Sequence, residues 1–371
     1  MTTILHYIYQ DDFGGGPKAL WSISRQFNEV ATQHIACKGK KKLTQLAADD
    51  PVTKLHEFPE TSSALFFCDS IYLLCLVWKL RPDVLFVHGQ RGGIVSALAS
   101  YFFPKCHLVY VAHFIGMYET RNLFELVRNY LAEKITFRRH RWIVFLSEGN
   151  LRFMTLFGFV PDRYRIRLIP NSVAEMSLGQ GEDGVVWSGG GQVRFLFLGR
   201  LAYQKRVDWL LLAWQHALKN GLPLAELVIL GNGPLVRELH EMRADLNIAE
   251  SVKFPGHVDR PDRMLATCDV VVFPSLFENH SNVPLEALAA GKPIIAMDAD
   301  GVRESFTDGE EGFIIPLGDW KVFGEKIVLL AADRALREQM GAKGRERAKL
   351  YSHEVNGAAY RKLLREILDE I

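Results

Sequence analysis

The sequence predicts an α/β protein built from two mainly parallel, doubly wound sheets. Three observations carry this. Short apolar, β-branched runs alternate with stretches of helical length along the chain, the pattern of parallel strands joined by crossover helices. At 371 residues the chain is long enough for two such domains. Near its middle, residues 177–192 are polar and hold six glycines, the composition of a linker. The expected division is a first domain over 1–175, a linker over 176–192, a second domain over 193–350 and a tail over 351–371.

In order, residues 4–9 read as the first strand. Gly14, Gly15 and Gly16 lie in the turn after it, and Pro17 opens a helix over 17–30. Bare amides at a helix N-terminus can approach a phosphate. The turn lacks the Gly-x-Gly-x-x-Gly spacing and a Walker lysine, so plain chain reversal explains it equally well. Strands follow at 34–37 and 55–58. The apolar stretch 61–80 is short for a membrane span and is interrupted by Asp69, so it reads as a buried helix. Strands at 83–88, 107–112, 142–146 and 166–169 complete the first sheet. His88 and His113 end the fourth and fifth strands at the carboxyl edge, where open α/β sheets bind ligands. A lone histidine there can equally be structural.

The second sheet takes strands at 193–198, 224–230, 252–254, 270–273, 293–297 and 313–315. Arg200 and Lys205 follow the first of these. The planar fork of arginine and the point charge of lysine suit a diphosphate, although two loop cations need no such partner. Residues 270–297 form one strand–loop–helix–strand unit, with Pro284 in the first turn of a helix over 284–290 and Gly291 and Pro293 ending it. Glu278 lies in the loop and Glu286 in the first helical turn. Val283 stands three residues before Glu286, so no capping box accounts for it. Two carboxylates at this edge can accept bonds from the hydroxyls of a polyol or ribose. The plain alternative is a solvated loop acid and an acid favoured by the helix dipole. Asp298-Ala299-Asp300 reads as a turn into Gly301 rather than a metal site. Helices over 319–332, 334–350 and 352–368 end the chain.

Composition excludes the unusual classes. Hydrophobic content of 48% and charge of 23% describe an ordinary globular protein. Cys37, Cys68, Cys75, Cys106 and Cys268 are scattered without metal-ligand spacing and fit free thiols in a reducing compartment. Met1 runs into the first strand, so no signal peptide is visible. Residues 1–175 carry 21 Lys and Arg against 15 Asp and Glu, a net +6; residues 176–371 carry 23 against 28, a net −5. Clusters at 38–42 and 138–141 lie in the basic half, and Trp142 adds an aromatic ring to the second. Such a surface suits an anionic lipid or acceptor rather than nucleic acid, and solvated loops would look the same.

Glu278-x7-Glu286, followed by Ala287-x-Ala289-x-Gly291-x-Pro293-Ile294-Ile295-Ala296, resembles the signature of the retaining, nucleotide-sugar-dependent glycosyltransferases of the large family-four group. Gly199-Arg200-Leu201 with Lys205, Gly231-Asn232-Gly233-Pro234 and Ile169-Pro170-Asn171-Ser172 extend the resemblance, which runs from about residue 165 to the end. It implies the GT-B fold, two Rossmann-like domains facing across a cleft, with the tail crossing back to the first domain. It implies a nucleoside-diphosphate sugar as co-substrate, retention of anomeric configuration, and no metal or other cofactor. By the same resemblance Arg200 and Lys205 meet the leaving diphosphate, Glu286 the ribose and Glu278 the sugar hydroxyls. Val258 lies along the base through its backbone, and His113 faces the sugar from the first domain. Gly15, Gly16, Gly231, Asn282 and Val283 complete the donor set. Glu119 falls in a segment that could reach the acceptor, expected to be a polysaccharide, lipopolysaccharide or lipid-linked glycan precursor. The expected place of action is the cytoplasm, and the basic first half, not the resemblance, adds the expectation of peripheral contact with the inner face of an anionic membrane. Glu278-Asn279-His280-Ser281 departs from the common Glu-Gly-Phe-Gly, which bears on the donor sugar more than on the reaction. A nucleotide-sugar epimerase of the same fold and a non-catalytic partner subunit remain open; Arg200, Lys205, Glu278 and Glu286 speak against the second.

Overall fold

The computed structural model describes residues 2–9, 15–38, 50, 52–58, 66–113, 122–160, 166–173, 187, 191–258 and 260–369. Gly14, Glu119 and most of the expected linker lie outside them. The chain forms two compact units, Met1–Ser172 together with His353–Ile371, and Val173–Ser352.

The first unit holds β1 (Thr2–Ile8), β2 (Ala31–Lys38), β3 (Thr53–Phe58), β4 (Val84–His88), β5 (His107–Ala112), β6 (Trp142–Phe145) and β7 (Ile166–Leu168), in the spatial order β3-β2-β1-β4-β5-β6-β7. The second holds β8 (Val193–Leu198), β9 (Ala225–Leu230), β10 (Val252–Gly256), β11 (Val270–Phe273), β12 (Ile294–Met297) and β13 (Gly312–Ile315), ordered β10-β9-β8-β11-β12-β13. The strands pair in parallel throughout both sheets. Each order reverses beside its first strand, between β1 and β4 and between β8 and β11. There the connecting loops diverge to opposite faces and leave room for a ligand at the carboxyl edge.

The central strands are mostly apolar because both sheet faces are covered, with His6 of β1 and Gln33 of β2 among the buried polar exceptions. In the first unit one face, carrying Ile4, Val84, Phe86, Val109 and Val111, packs under Ile23 and Phe27 and under Tyr360, Leu363, Leu364 and Ile367. The last four belong to the helix His353–Leu368, so this late segment is part of the first unit's core. Polar contacts fasten it: Asn356 donates to the Pro170 carbonyl at 2.6 Å, and Arg167 pairs with Glu366 at 2.6 Å. The opposite face carries Leu5, Tyr7, Leu85 and Val87 under Leu73, Leu76 and Val77. In the second unit the helices Val207–Lys219 and Trp320–Ala332 cover one face of the sheet, and Met264, Leu265, Ala287 and Leu288 the other.

Three expectations change. The helix expected over 61–80 is described as Phe66–Leu80, and it is half-buried rather than enclosed: Ile71 and Trp78 are 46% and 66% exposed. Its Leu73, Leu76 and Val77 make one buried face, spaced as an amphipathic surface helix requires. The helix expected from Pro284 begins two residues earlier, at Asn282, which puts Glu286 in the second turn rather than the first. Trp142 is buried in β6 beneath the Arg167 guanidinium, so it adds no aromatic surface to Arg138–Arg141. No described helix is long and apolar enough to cross a membrane.

Candidate functional site

In the second unit the loops after β8 and β11 are clasped together. Leu276 donates its amide to the Gln204 carbonyl at 2.8 Å, and the Gln204 side chain donates to the Phe277 carbonyl at 2.9 Å. This clasp brings Lys205 to Glu278, with Nζ 2.5 Å from Oε1. Both are well enclosed, at 13% and 8% side-chain exposure. Sequence reasoning gave the two residues separate partners; the structure pairs them with each other. Residues 73 apart in sequence meet here because β8 and β11 are neighbours in the sheet. Arg200 is exposed at the start of the same β8 loop.

Arg206, next to Lys205, is held at φ 47°, ψ 43°, a left-handed conformation that costs a non-glycine residue about 1 kcal/mol or more. Its guanidinium is fixed by Asp208, at 3.0 and 2.6 Å, and lies 3.8 Å from the Trp209 ring centroid. Those contacts offset the strain. Nothing in the sequence singled out Gln204 or Arg206.

Two glycines close the floor of this edge. A Cβ on Gly231, at φ +138°, would stand 1.9 Å from the Gly199 carbonyl oxygen. One on Gly301, at φ +79°, would stand 1.8 Å from the Asn279 carbonyl oxygen. Only glycine lets these loops touch. Gly301 also carries the turn made by Asp298-Ala299-Asp300, where Arg303 binds Asp298 at 2.6 Å and Ala299 is buried. His280, in place of the family's more usual residue, is buried near the Tyr351 ring, and burial pushes its pKa down to about 4.

The helix Asn282–Ala289 points its N-terminus into this edge. Its cap, Ser281, makes no side-chain capping bond, and the buried Asn282 Oδ1 has no hydrogen-bond partner among the described residues. Ser275 Oγ, early in the loop that leads into this helix, is buried in the same condition. Val283 is half-buried beside Asn282, Glu286 is half-buried one turn on, and Val258 is half-buried against the apolar layer after β10.

In the first unit Gly15 and Gly16 open the helix Gly15–Arg25 at the end of β1. A Cβ on Gly16 would find only ordinary contact, with Ile8 at 3.6 Å, and its φ is not positive. Packing and backbone conformation therefore give no reason for glycine there. His113 follows β5 at the carboxyl edge, with Nε2 2.8 Å from His88 Nδ1. Burial pushes its pKa down to about 4, so it is a neutral imidazole at pH 7. His88 in turn contacts His6, a residue not singled out because it lies inside a strand.

Residues 188–347 match the family model described as glycosyl transferases group 1. Over 337 residues the chain is 26% identical to the capsular polysaccharide biosynthesis glycosyltransferase CapM of Staphylococcus aureus, covering 85% of this chain and 84% of that protein. Over 311 residues it is 29% identical to the N-acetylgalactosamine-N,N'-diacetylbacillosaminyl-diphospho-undecaprenol 4-alpha-N-acetylgalactosaminyltransferase of Campylobacter jejuni, covering 82% and 80%. Its fold is that of HepE from Anabaena, solved in complex with UDP-glucose, with a TM-score of 0.83 at 18% identity over 99% of this chain and 100% of that one.

Proposed function

We propose that the chain, which matches the group 1 glycosyltransferase model over residues 188–347 and has the GT-B fold, moves a sugar from a nucleoside-diphosphate sugar to a glycan acceptor, with retention of anomeric configuration. The observation that carries this reading is the enclosed Lys205–Glu278 pair, with the exposed Arg200 in the same loop after β8, at the switch point between β8 and β11. An ammonium has three N–H donors, and Glu278 engages one of them at Oε1. The remaining donors and the Arg200 fork are suited to a diphosphate. As the bond to the sugar breaks, charge grows on that diphosphate, and preorganised cations stabilise it.

Glu278 keeps its second oxygen for sugar hydroxyls. Glu286 accepts from the ribose diol, Val258 lies along the base through its backbone, and Gly231 lets the loops close beneath the donor. The uncapped amides at Asn282 and Val283, with those of Gly15 and Gly16, meet phosphate oxygens. His113 meets the sugar. The leaving phosphate draws the acceptor's proton as the acceptor attacks on the same face, so no protein nucleophile is invoked. No metal or other cofactor is invoked either, because Arg200 and Lys205 supply the charge and Asp298 is already bound by Arg303.

The acceptor we propose is a lipid-linked or polysaccharide glycan precursor, met at the inner face of an anionic membrane. The support is a surface of the first unit. Leu123, Phe124, Val127, Leu131 and Ile135 form an exposed apolar stripe on the helix Leu123–Arg139, with Arg128, Lys134, Arg138 and Arg139 on the same helix. An amphipathic basic helix of this kind lies in a membrane interface.

A screen of nucleotide sugars tests the reading. One donor should raise the melting temperature and be slowly hydrolysed, releasing a sugar whose first-formed anomer matches the donor. Interconversion of one nucleotide sugar into its epimer, without hydrolysis or transfer, would favour the epimerase. A protein that no nucleotide sugar or nucleoside diphosphate stabilises would sink the reading altogether.

A further inference from the structure

Four residues on neighbouring strands of the first sheet form a continuous hydrogen-bonded chain. Gln33 lies on β2, His6 on β1, His88 at the end of β4, and His113 just beyond β5, following the spatial order β2-β1-β4-β5. Gln33 Oε1 is 3.1 Å from His6 Nε2, His6 Nδ1 is 3.3 Å from His88 Nε2, and His88 Nδ1 is 2.8 Å from His113 Nε2. The rings lie edge to edge and near one plane, His6 and His88 at 29° with centroids 5.6 Å apart and His88 and His113 at 17° with centroids 5.0 Å apart, as in-plane hydrogen bonds require. Gln33 and His6 are fully buried and His88 nearly so, and Phe86 packs flat against His6 at 5.1 Å.

Each neutral imidazole carries one N–H and one bare nitrogen, so fixing one end of such a chain fixes every ring. The Gln33 oxygen accepts, so His6 is protonated on Nε2 and bare on Nδ1. His88 then donates from Nε2 and accepts at Nδ1. His113 donates from Nε2 into the chain and leaves Nδ1 bare. Burial holds all three rings neutral, which keeps the alternation intact.

We propose that Gln33, His6 and His88 are positioning residues that set the tautomer of His113, presenting its Nδ1 as an acceptor for a hydroxyl of the donor sugar. This rests on the reading of His113 as a donor-site residue. The chain itself stands on the first unit alone. It turns a residue that could donate or accept into one that only accepts, and so selects the hydroxyl orientation it meets.

The test begins with the unmodified protein. Nitrogen-15 NMR of its histidine side chains at pH 7 should show His113 protonated on Nε2 and unprotonated on Nδ1; the reverse tautomer overturns the proposal. His6→Phe keeps the aromatic packing and removes both nitrogens, and Gln33→Leu removes the terminal acceptor. In either variant His113 should become a mixture of tautomers, while kcat falls about tenfold, the scale of one hydrogen bond, with KM little changed. An unchanged His113 tautomer in both variants also overturns the chain. A changed tautomer with unaltered kcat removes His113 from the donor site and overturns that link instead.

Discussion

The carboxyl edges of the two sheets are built on the same topology and carry opposite chemistry. At the second sheet the groups are ionic: Lys205 against Glu278, Arg200 exposed in the same loop after β8, and a left-handed Arg206 braced by Asp208. At the first sheet they are neutral: His113 and His88 at the edge, linked by hydrogen bonds to His6 and Gln33 inside the neighbouring strands. On the function proposed above, the ionic edge suits a leaving diphosphate and the neutral one a sugar's hydroxyls. The same scaffold position serves either need, because the loops and strand ends decide it and the sheet does not.

The sharpest way to break this comparison is to remove the charges. Lys205→Ala and Arg200→Ala should each lower kcat by about 100-fold or more, the loss expected for an electrostatic transition-state contact. They should differ in stability. Lys205→Ala leaves Glu278 buried without its partner and should cost about 3–5 kcal/mol, whereas Arg200→Ala, at an exposed site, should stay within about 0.5 kcal/mol. Chemical denaturation beside steady-state kinetics separates the two effects. Near-normal turnover in both variants would remove the pair from the site.

Acid should separate the units next. Burial holds His6 down at about 3, His113 and His140 at about 4, and His88 well below its usual range, all in the first unit; in the second, His280 sits at about 4. The unfolded chain takes up protons at these histidines near pH 6.5 while the folded one refuses them. Stability is therefore highest above that pH and is lost as pH falls toward about 4, by about 1.4 kcal/mol per pH unit for each such ring. The first unit also holds His34, pushed down to about 4 by burial, and His56, lowered by burial, so with six such rings against one among the described residues it should open first. Hydrogen exchange at pH 7 and pH 4.5, read by peptide, checks this; faster opening of the second unit would contradict it.

The two acids of the second unit should part in a smaller measurement. Glu286→Gln should weaken a bare nucleoside diphosphate about tenfold, the scale of a charged hydrogen bond to the ribose. Glu278→Gln should lower turnover of the full donor, yet leave diphosphate affinity unchanged or improved, since it frees Lys205 from its counter-charge. Equal weakening of the diphosphate by both changes would show the roles are not divided. Smallest of all is the membrane effect. Each basic residue near an anionic surface contributes about 1 kcal/mol, so Leu123→Ser combined with Phe124→Ser should reduce, and added salt should nearly abolish, flotation with anionic liposomes. Equal recovery with neutral liposomes would count against the surface.

Much of this was legible in the sequence for a physical reason. Enclosed parallel strands are predominantly apolar, so runs such as Val270–Phe273 and Ile294–Met297 announce themselves. Their carboxyl ends announced Arg200, Lys205, Glu278 and His113. What stayed hidden depends on which strands become neighbours. The Lys205–Glu278 pair needs β8 beside β11, and the histidine chain needs β1 between β2 and β4. His6 looked like core because it is core; only its ring partners make it more. Arg206 carries no mark in sequence that its backbone is left-handed, since arginine rarely adopts that conformation. The helix Phe66–Leu80 looked enclosed because its apolar content is high, yet Ile71 and Trp78 face outward.

One consequence concerns the order in which the chain is made. The second unit is continuous in sequence, from Val173 to Ser352, and all six of its strands are in hand by Ile315. The first unit is not. Tyr360, Leu363, Leu364 and Ile367 cover the sheet face that carries Val84, Phe86, Val109 and Val111, and they leave the ribosome only after the entire second unit. Domains fold as units during synthesis, the earliest-made usually first. Here the earlier-begun unit must wait with one sheet face partly uncovered while the later one completes itself. A nascent chain stalled near Ser352 should thus hold a protease-resistant second unit attached to a protease-sensitive first one, and synthesis of the helix His353–Leu368 should abolish that difference.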